Sequence, residues 1–566
     1  MPGRRIRGGT SSSGTRLRAS LLKASNRYTE APVGAAWLAA VILAVHAGPD
    51  TVVVCPAEFQ QALAPWVTYR EAQGHRIVLV SNLGTTSQIR ARIVQAAAGR
   101  PLKAVVLAGD AEVGMEQDMT LRARCVPVDW AKAEVNVHFG SEPHIGTDHW
   151  CGDLDDDGVP EVAVGRLTAD SAEELATIVQ KILAYERSTD FGPWRRQLNF
   201  VASAGGFGAL TDTVIENCAK LFITRNIAPA YEVGMTYGSW RSPFCPDPRR
   251  FRETALASIN SGCQFWVYIG HGYHLELAPL RVPGAEFPIF SINDAGQLDC
   301  REGRPIALFL SCYAGAFDAY DDCLAEEMLR APGGPVSVIA ASRVTMPYAM
   351  SLMALELCRQ ALDGPADTLG EALLAAKRQL VIDDAERSDA RAALDALAAV
   401  VSPMPDKLAE QRREHALLFN LIGDPLLRLR RPKPVDLSVP AEISPGGTLA
   451  VTGLSPIDGR AVVELVVPRD RLVTGWFRRS EFPQLPDDWA EFQETYAKAN
   501  DRRLAWGETE VRGGRFAATL AVPENARGGC CVRVFVEGSE DFGLGAAETT
   551  AKPVVLAQKP KDAAIR

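Results

Sequence analysis

What this chain lacks narrows its function before anything it contains. Lys and Arg (60) do not outnumber Asp and Glu (69), and at a net charge of −9 there is no basic excess to attract a nucleic-acid backbone. No apolar run reaches the roughly 20 residues that a membrane-spanning helix needs. The longest, Val33–Ala47, stops at 15. The twelve cysteines show neither the paired spacing of a zinc site nor the density of a disulfide-stapled module, so most read as buried thiols. GxSxG elbows, P-loops, dinucleotide fingerprints and internal repeats are all missing, which removes the serine-hydrolase and nucleotide-binding readings.

Residues 1–50 form a basic leader with an apolar segment. Seven Lys or Arg stand against the single acid Glu30 before Val33–Ala47 begins. Two readings stay open: an export signal or propeptide, with Val45 and Ala47 at cleavage-site positions, or an ordinary packed helix. Cytoplasmic residence is the favoured reading and export the alternative.

From Thr51 the chain alternates β-branched runs with amphipathic stretches, the pattern of a mostly parallel sheet flanked by helices. TVVV (51–54), RIVLV (76–80) and KAVVLAGD (103–110) read as strands, with a helix near 57–72. SAEELATIVQKILAYER (171–187) is the clearest helix, opened by Ser171 and Glu174 as a capping box. QLNFVAS (197–203), QFWVYIG (264–270), PIALFLS (305–311) and PVSVIAAS (335–342) have the length of buried strands. After RRPKPV (430–435) the helical period vanishes and alternation with Pro-Gly turns predicts a β-sandwich. The expected organisation is therefore two α/β subdomains, 51–195 and 196–432, followed by a sandwich at 435–557 with an insertion near 475–500. The final Lys-rich tail reads as disordered.

Two strand ends carry reactive side chains, YIGHGYH (268–274) and FLSCYAGAF (309–317). A thiol attacks an amide carbonyl as thiolate or beside a base, and imidazole suits that proton transfer near neutral pH. Cys312 and His271 are the candidate pair, with the backbone N–H groups of Gly272 and Cys312 as oxyanion donors. His274 is a possible decoy for the base. His138, His144, His149 and Cys151 match no standard zinc spacing and read as loop residues. Cys323 and Cys358 read as core, and LIGDP (421–425) as a tight strand end. Asp153, Asp155, Asp157 and Gly158 spell DxDxDG, the opening of a calcium loop, but position twelve is Val164, so a full EF-hand is excluded and a looser structural calcium site remains.

From Thr51 to Leu429 the chain resembles the gingipain-like cysteine peptidases, relatives of caspases and legumains. The resemblance rests on ordered blocks: TDHWCGDLDDDGVPEVAVGR (147–166), KILAYER (181–187), YIGHG, LSCYAGAFD, LGEALLAAK and LIGDPLLRL (421–429). It implies a caspase-like fold, His271 as general acid/base and Cys312 as nucleophile through a thioester. It further implies Asp148 as the acid orienting the histidine, Asp157 as an acid favouring a basic residue before the scissile bond, and an immunoglobulin-like domain after the peptidase. No cofactor is required for this chemistry. The expected partner is a protein or peptide substrate, with no nucleic acid and a protein partner conceivable on the sandwich. The rival reading is an inactive or regulated pseudo-peptidase acting as a binding module.

Overall fold

The computed structural model describes residues 48–552, except 112, 116, 206–222, 224, 383–387, 474–478 and 484–485. The leader up to residue 47 and the tail after 552 lie outside the described residues.

Ten strands build one sheet: β1 Thr51–Val54, β2 Ile77–Val80, β3 Ala104–Ala108, β4 Ala163–Leu167, β5 Gln197–Ser203, β6 Glu232–Gly238, β7 Phe265–Ile269, β8 Ile306–Leu310, β9 Ser337–Ala341 and β10 Phe419–Ile422. Their spatial order is β2-β1-β3-β4-β10-β9-β8-β7-β5-β6. Strands β1, β3, β8 and β9 are buried along their whole length, which is why they read as unbroken apolar runs rather than alternating ones.

Every pairing in this sheet is parallel except β9 with β10, where Ala341 faces Phe419 and Val338 faces Ile422. β10, which meets β4 through the single pair Arg166 and Ile422, is the seam between the two runs of parallel strands. The two subdomains expected to divide at 195/196 share this continuous sheet, and from Pro49 onward the chain is one compact unit. Asp110, just past the end of β3, lies at the same rim as the loop after β8: its carboxylate meets Arg330, which also pairs with Asp322.

Helices form where the sequence places caps. Ser171 accepts the Glu174 N–H and opens Ala172–Arg187, while the Glu174 carboxylate reaches the Asp170 N–H instead of closing the box on Ser171. Thr368 and Glu371 make the full reciprocal box for Leu369–Val381. Among the described residues no helix is long and apolar enough to cross a membrane.

After residue 432 two further sheets face each other. Strands β11 Thr448–Leu454, β12 Gly459–Val466, β13 Arg503–Val511, β14 Arg515–Ala521, β15 Gly528–Glu537 and β16 Phe542–Ala551 supply them. One sheet has β16, β15, β12 and β13 in order, and the other holds Asp436–Ser438, β11 and β14. Leu449, Val451, Phe516 and Leu520 from one meet Ala461, Val463, Leu465, Val532, Val534 and Val536 from the other, each set spaced by the strand period. The stretch between β12 and β13 contains the helix Ala490–Asn500. Its Asn500 side chain bonds both the N–H and the C=O of Met235, and Tyr496 Oη lies 2.9 Å from Thr236 Oγ1. The inserted helix therefore covers the free edge of β6.

The two parts are also clasped by buried charge. Glu464 of β12 accepts from Arg196 at 2.9 Å and from Arg533 at 2.7 Å, and Arg533 also pairs with Glu232 of β6. Burial pushes the Glu464 carboxyl up, but Arg533 and Arg196 outweigh it and hold the group below the ordinary carboxylate value.

Candidate active site

Strands β7 and β8 are parallel neighbours in which Ile269 pairs with Leu310. His271 and Cys312 each lie two residues beyond that pair, at the same carboxyl-end rim, and both are partly exposed. The approach is close enough to dictate a glycine: a Cβ at Gly272 would sit 2.7 Å from the Cys312 carbonyl oxygen and 2.7 Å from Ser311 Oγ. The His271 carbonyl accepts the Tyr268 hydroxyl at 2.8 Å and the Ala278 N–H at 3.0 Å, which anchors its loop.

Tyr313, directly after the thiol, has φ of +59°. A non-glycine residue there costs on the order of 1 kcal/mol. The turn sends the Ala314 N–H back to the Cys312 carbonyl at 2.8 Å, and Tyr313 Oη donates to Glu142 at 2.9 Å. Opposite the sulfur stands Thr345, from the loop after β9: its N–H donates to Sγ at 3.3 Å and its Oγ1 lies at 3.6 Å. Sequence reasoning missed this residue. The available signal was its position just past the end of PVSVIAAS, the strand beside the one that bears the thiol.

The other predicted residues fall elsewhere. Asp148 directs both carboxylate oxygens at Arg166, at 2.8 and 2.6 Å, and its own N–H donates to Asn420. That pairing neutralises a fully buried guanidinium, a structural task that accounts for an acid at 148 by itself. His274 Nε2 lies 2.7 Å from the Asp321 carbonyl. Cys323 caps Leu324–Arg330 and is buried, and burial pushes its thiol up. In LIGDP, Asp424 is fully buried and binds Trp66 and Arg70, each at 2.5 Å, so it ties the sheet to the helix Gln60–Ala72.

Asp153, Asp155 and Asp157 lie in a loop tied to the helix Thr86–Ala97, since Arg90 bonds the Asp153 carbonyl and Asp156. Asp157 accepts the Val159 N–H within that loop. Each of the three acids, and Glu161 with them, offers a carboxylate oxygen, and these atoms all lie within 4.8 Å of one another. Ligands at about 2.4 Å on opposite sides of one ion are separated by about that distance, and an all-oxygen set suits calcium. Glu161 is position nine of the loop; inspection of position twelve alone overlooked it. Burial raises its carboxyl, and Asp155, Asp153 and Asp157 raise it further.

His415, in the helix Leu408–Leu418, is fully buried, and burial lowers its imidazole to about 4. Nε2 accepts the Met346 N–H at 2.8 Å, so Nδ1 carries the proton and donates to the Gln411 carbonyl at 2.7 Å. The native state therefore refuses a proton that an unfolded chain takes below about pH 6.5. Stability rises with pH wherever the unfolded state binds more protons, so this group's contribution is complete above pH 6.5 and declines as pH falls toward 4. Between pH 6.5 and 5 the expected loss from His415 is about 2 kcal/mol. Urea unfolding at the two pH values checks this, with His415→Gln as the control in which the loss shrinks by that amount.

Residues 45–430 match Peptidase family C25. Gingipain R2 of Porphyromonas gingivalis is 23% identical over 304 residues, which cover 51% of this chain and 36% of that protein. Lys-gingipain of the same organism is 28% identical over 290 residues, 49% of this chain and 14% of that protein. The chain thus spans only a minor part of these relatives. The crystal structure of the Arg-specific cysteine proteinase gingipain R aligns over 89% of this chain and 98% of that one at 17% identity, with a TM-score of 0.49. With more than half of its length matched by the family, this chain belongs to peptidase family C25.

Proposed function

We propose that the chain is a cysteine endopeptidase in which Cys312 is the nucleophile and His271 its acid/base partner. The observation that carries this is the register of β7 and β8, which brings both side chains to one rim. Cys312 Sγ attacks the scissile carbonyl, and the imidazole of His271 carries the thiol proton to the leaving amine. The N–H groups of Gly272 and Cys312 hold the oxyanion, each donor contributing about 3 kcal/mol. Water, deprotonated by the same imidazole, then releases the acyl group from the thioester. Asp148 commits both carboxylate oxygens to Arg166 and takes no direct orienting role in this reading. Family membership and the thiol's partly exposed place at a strand end support the same reading.

Asp153, Asp155, Asp157 and Glu161 would hold a calcium ion, which supplies structural cross-linking of their loop. A basic residue before the scissile bond, read from Asp157, is the finer part of the proposal. The test is a positional-scanning peptide library, run with calcium and with a chelator. Expected are cleavage after Lys or Arg and a higher melting temperature with calcium. Cleavage with no basic preference removes the role of Asp157, and a melting temperature indifferent to calcium removes the ion. No cleavage anywhere in the library, with Cys312 no more reactive toward iodoacetamide than the other thiols, removes the enzyme.

A further inference from the structure

The end of the helix Leu408–Leu418 grips the 344–346 loop, which borders Cys312, and the 134–136 segment, which bonds that loop. Glu414 accepts the successive backbone N–H groups of Glu134, Val135 and Asn136, the last two at 2.7 and 3.0 Å. Asn136 in turn donates from Nδ2 to the Val344 carbonyl at 2.5 Å. His415, the next residue along, takes the Met346 N–H.

That last bond matters because one peptide unit has two faces. The plane joining Thr345 and Met346 presents its N–H to His415 Nε2 at 2.8 Å and its C=O to Cys312 Sγ at 4.0 Å. Its neighbour, the N–H of Thr345, reaches the same sulfur at 3.3 Å. A rotation of the plane would carry the carbonyl away from Sγ and disturb both contacts. The acceptor that opposes such a rotation is the imidazole, itself fixed by the Gln411 carbonyl. Val344, held from the other side by Asn136, completes the clamp.

We propose that His415 is a positioning residue for Cys312: by accepting the Met346 N–H it fixes the 345–346 peptide and, through it, the direction of the sulfur. The proposal rests on the reading of Cys312 as nucleophile. It makes His415 a second histidine on which turnover depends, one that never meets the substrate.

The test compares His415→Phe, which keeps a buried ring without an acceptor, with His415→Gln, whose amide oxygen can take the Met346 N–H. Expected is a fall in kcat of about tenfold in His415→Phe with KM little changed, and recovery of most of it in His415→Gln. The rate of Cys312 alkylation by iodoacetamide, followed by mass spectrometry, should change severalfold in His415→Phe and return in His415→Gln. A folded His415→Phe with unaltered kcat and unaltered alkylation overturns the proposal. Equal loss in Phe and Gln variants also overturns it, since a merely structural histidine behaves so. Should His415→Phe fail to fold, Asn136→Ala releases the other side of the clamp, and unchanged kcat and alkylation there are equally fatal. The alkylation arm reads the sulfur without any substrate, so it separates failure of the positioning from failure of the peptidase reading.

Discussion

Cys312→Ala abolishes peptide cleavage, with a loss on the order of 10⁴-fold or more, while the melting temperature stays within a few degrees of the parent. The asymmetry follows from what the side chain touches. Sγ is partly exposed and its hydrogen-bond contacts run to Thr345, from the N–H at 3.3 Å, Oγ1 at 3.6 Å and the carbonyl at 4.0 Å, so removing it disturbs one local contact. His271→Ala should cost a comparable factor, and the double variant little more than either alone, because the two residues act as a unit. Steady-state assay of the three variants decides the matter: retained turnover in Cys312→Ala would falsify the assignment of the nucleophile, and strictly multiplicative losses would show that the pair is not one device.

Glu464→Ala should destabilise the protein by about 3–5 kcal/mol, the usual cost of removing one member of a buried ion pair. The carboxylate serves two guanidiniums at once, and Arg533 is almost completely sequestered from water. Burial also lowers Arg502 to about 10 and Arg469 to about 9, with Arg533 nearby adding to both, so this seam already holds more positive charge than it can easily carry. Losing Glu464 leaves Glu232 to face the remaining arginines. Because these bonds join β12 and β15 to the catalytic sheet, denaturant unfolding should also separate into two transitions, the second layer of sheets departing apart from the peptidase. A loss below about 1 kcal/mol with a single transition defeats this expectation.

The sequence was most legible where one physical rule dominated. Buried parallel strands appear as apolar runs, and QLNFVAS was located to the residue at Gln197–Ser203. Ser171 and Thr368 marked their helices because caps are local chemistry. Cys312 and His271 could be paired because each stands two residues past an apolar run. Strand direction, by contrast, leaves no mark on composition, so the antiparallel pairing of β9 with β10 was invisible. Strand β6 escaped notice because EVGMTYG alternates weakly at an edge that another segment covers. Thr345 and His415 escaped because their roles run through backbone amides, and an amide has no signature in a string of side chains. The sandwich was readable as two layers of alternating strands; its immunoglobulin-like topology was an expectation of resemblance alone.

The seam has a bearing on how the molecule is made. β10 lies between β4 and β9, yet it is encoded far downstream of both, and Arg166, paired with Leu107 on one side, finds its other strand partner in Ile422. A nascent chain leaving the ribosome must hold two incomplete half-sheets apart, each with a raw edge, until residues 419–422 emerge. Vectorial, piecewise maturation is therefore closed to this protein: the rim that carries the thiol is built on β7 and β8 well before the last wedge arrives, but the sheet beneath it is completed only by that wedge.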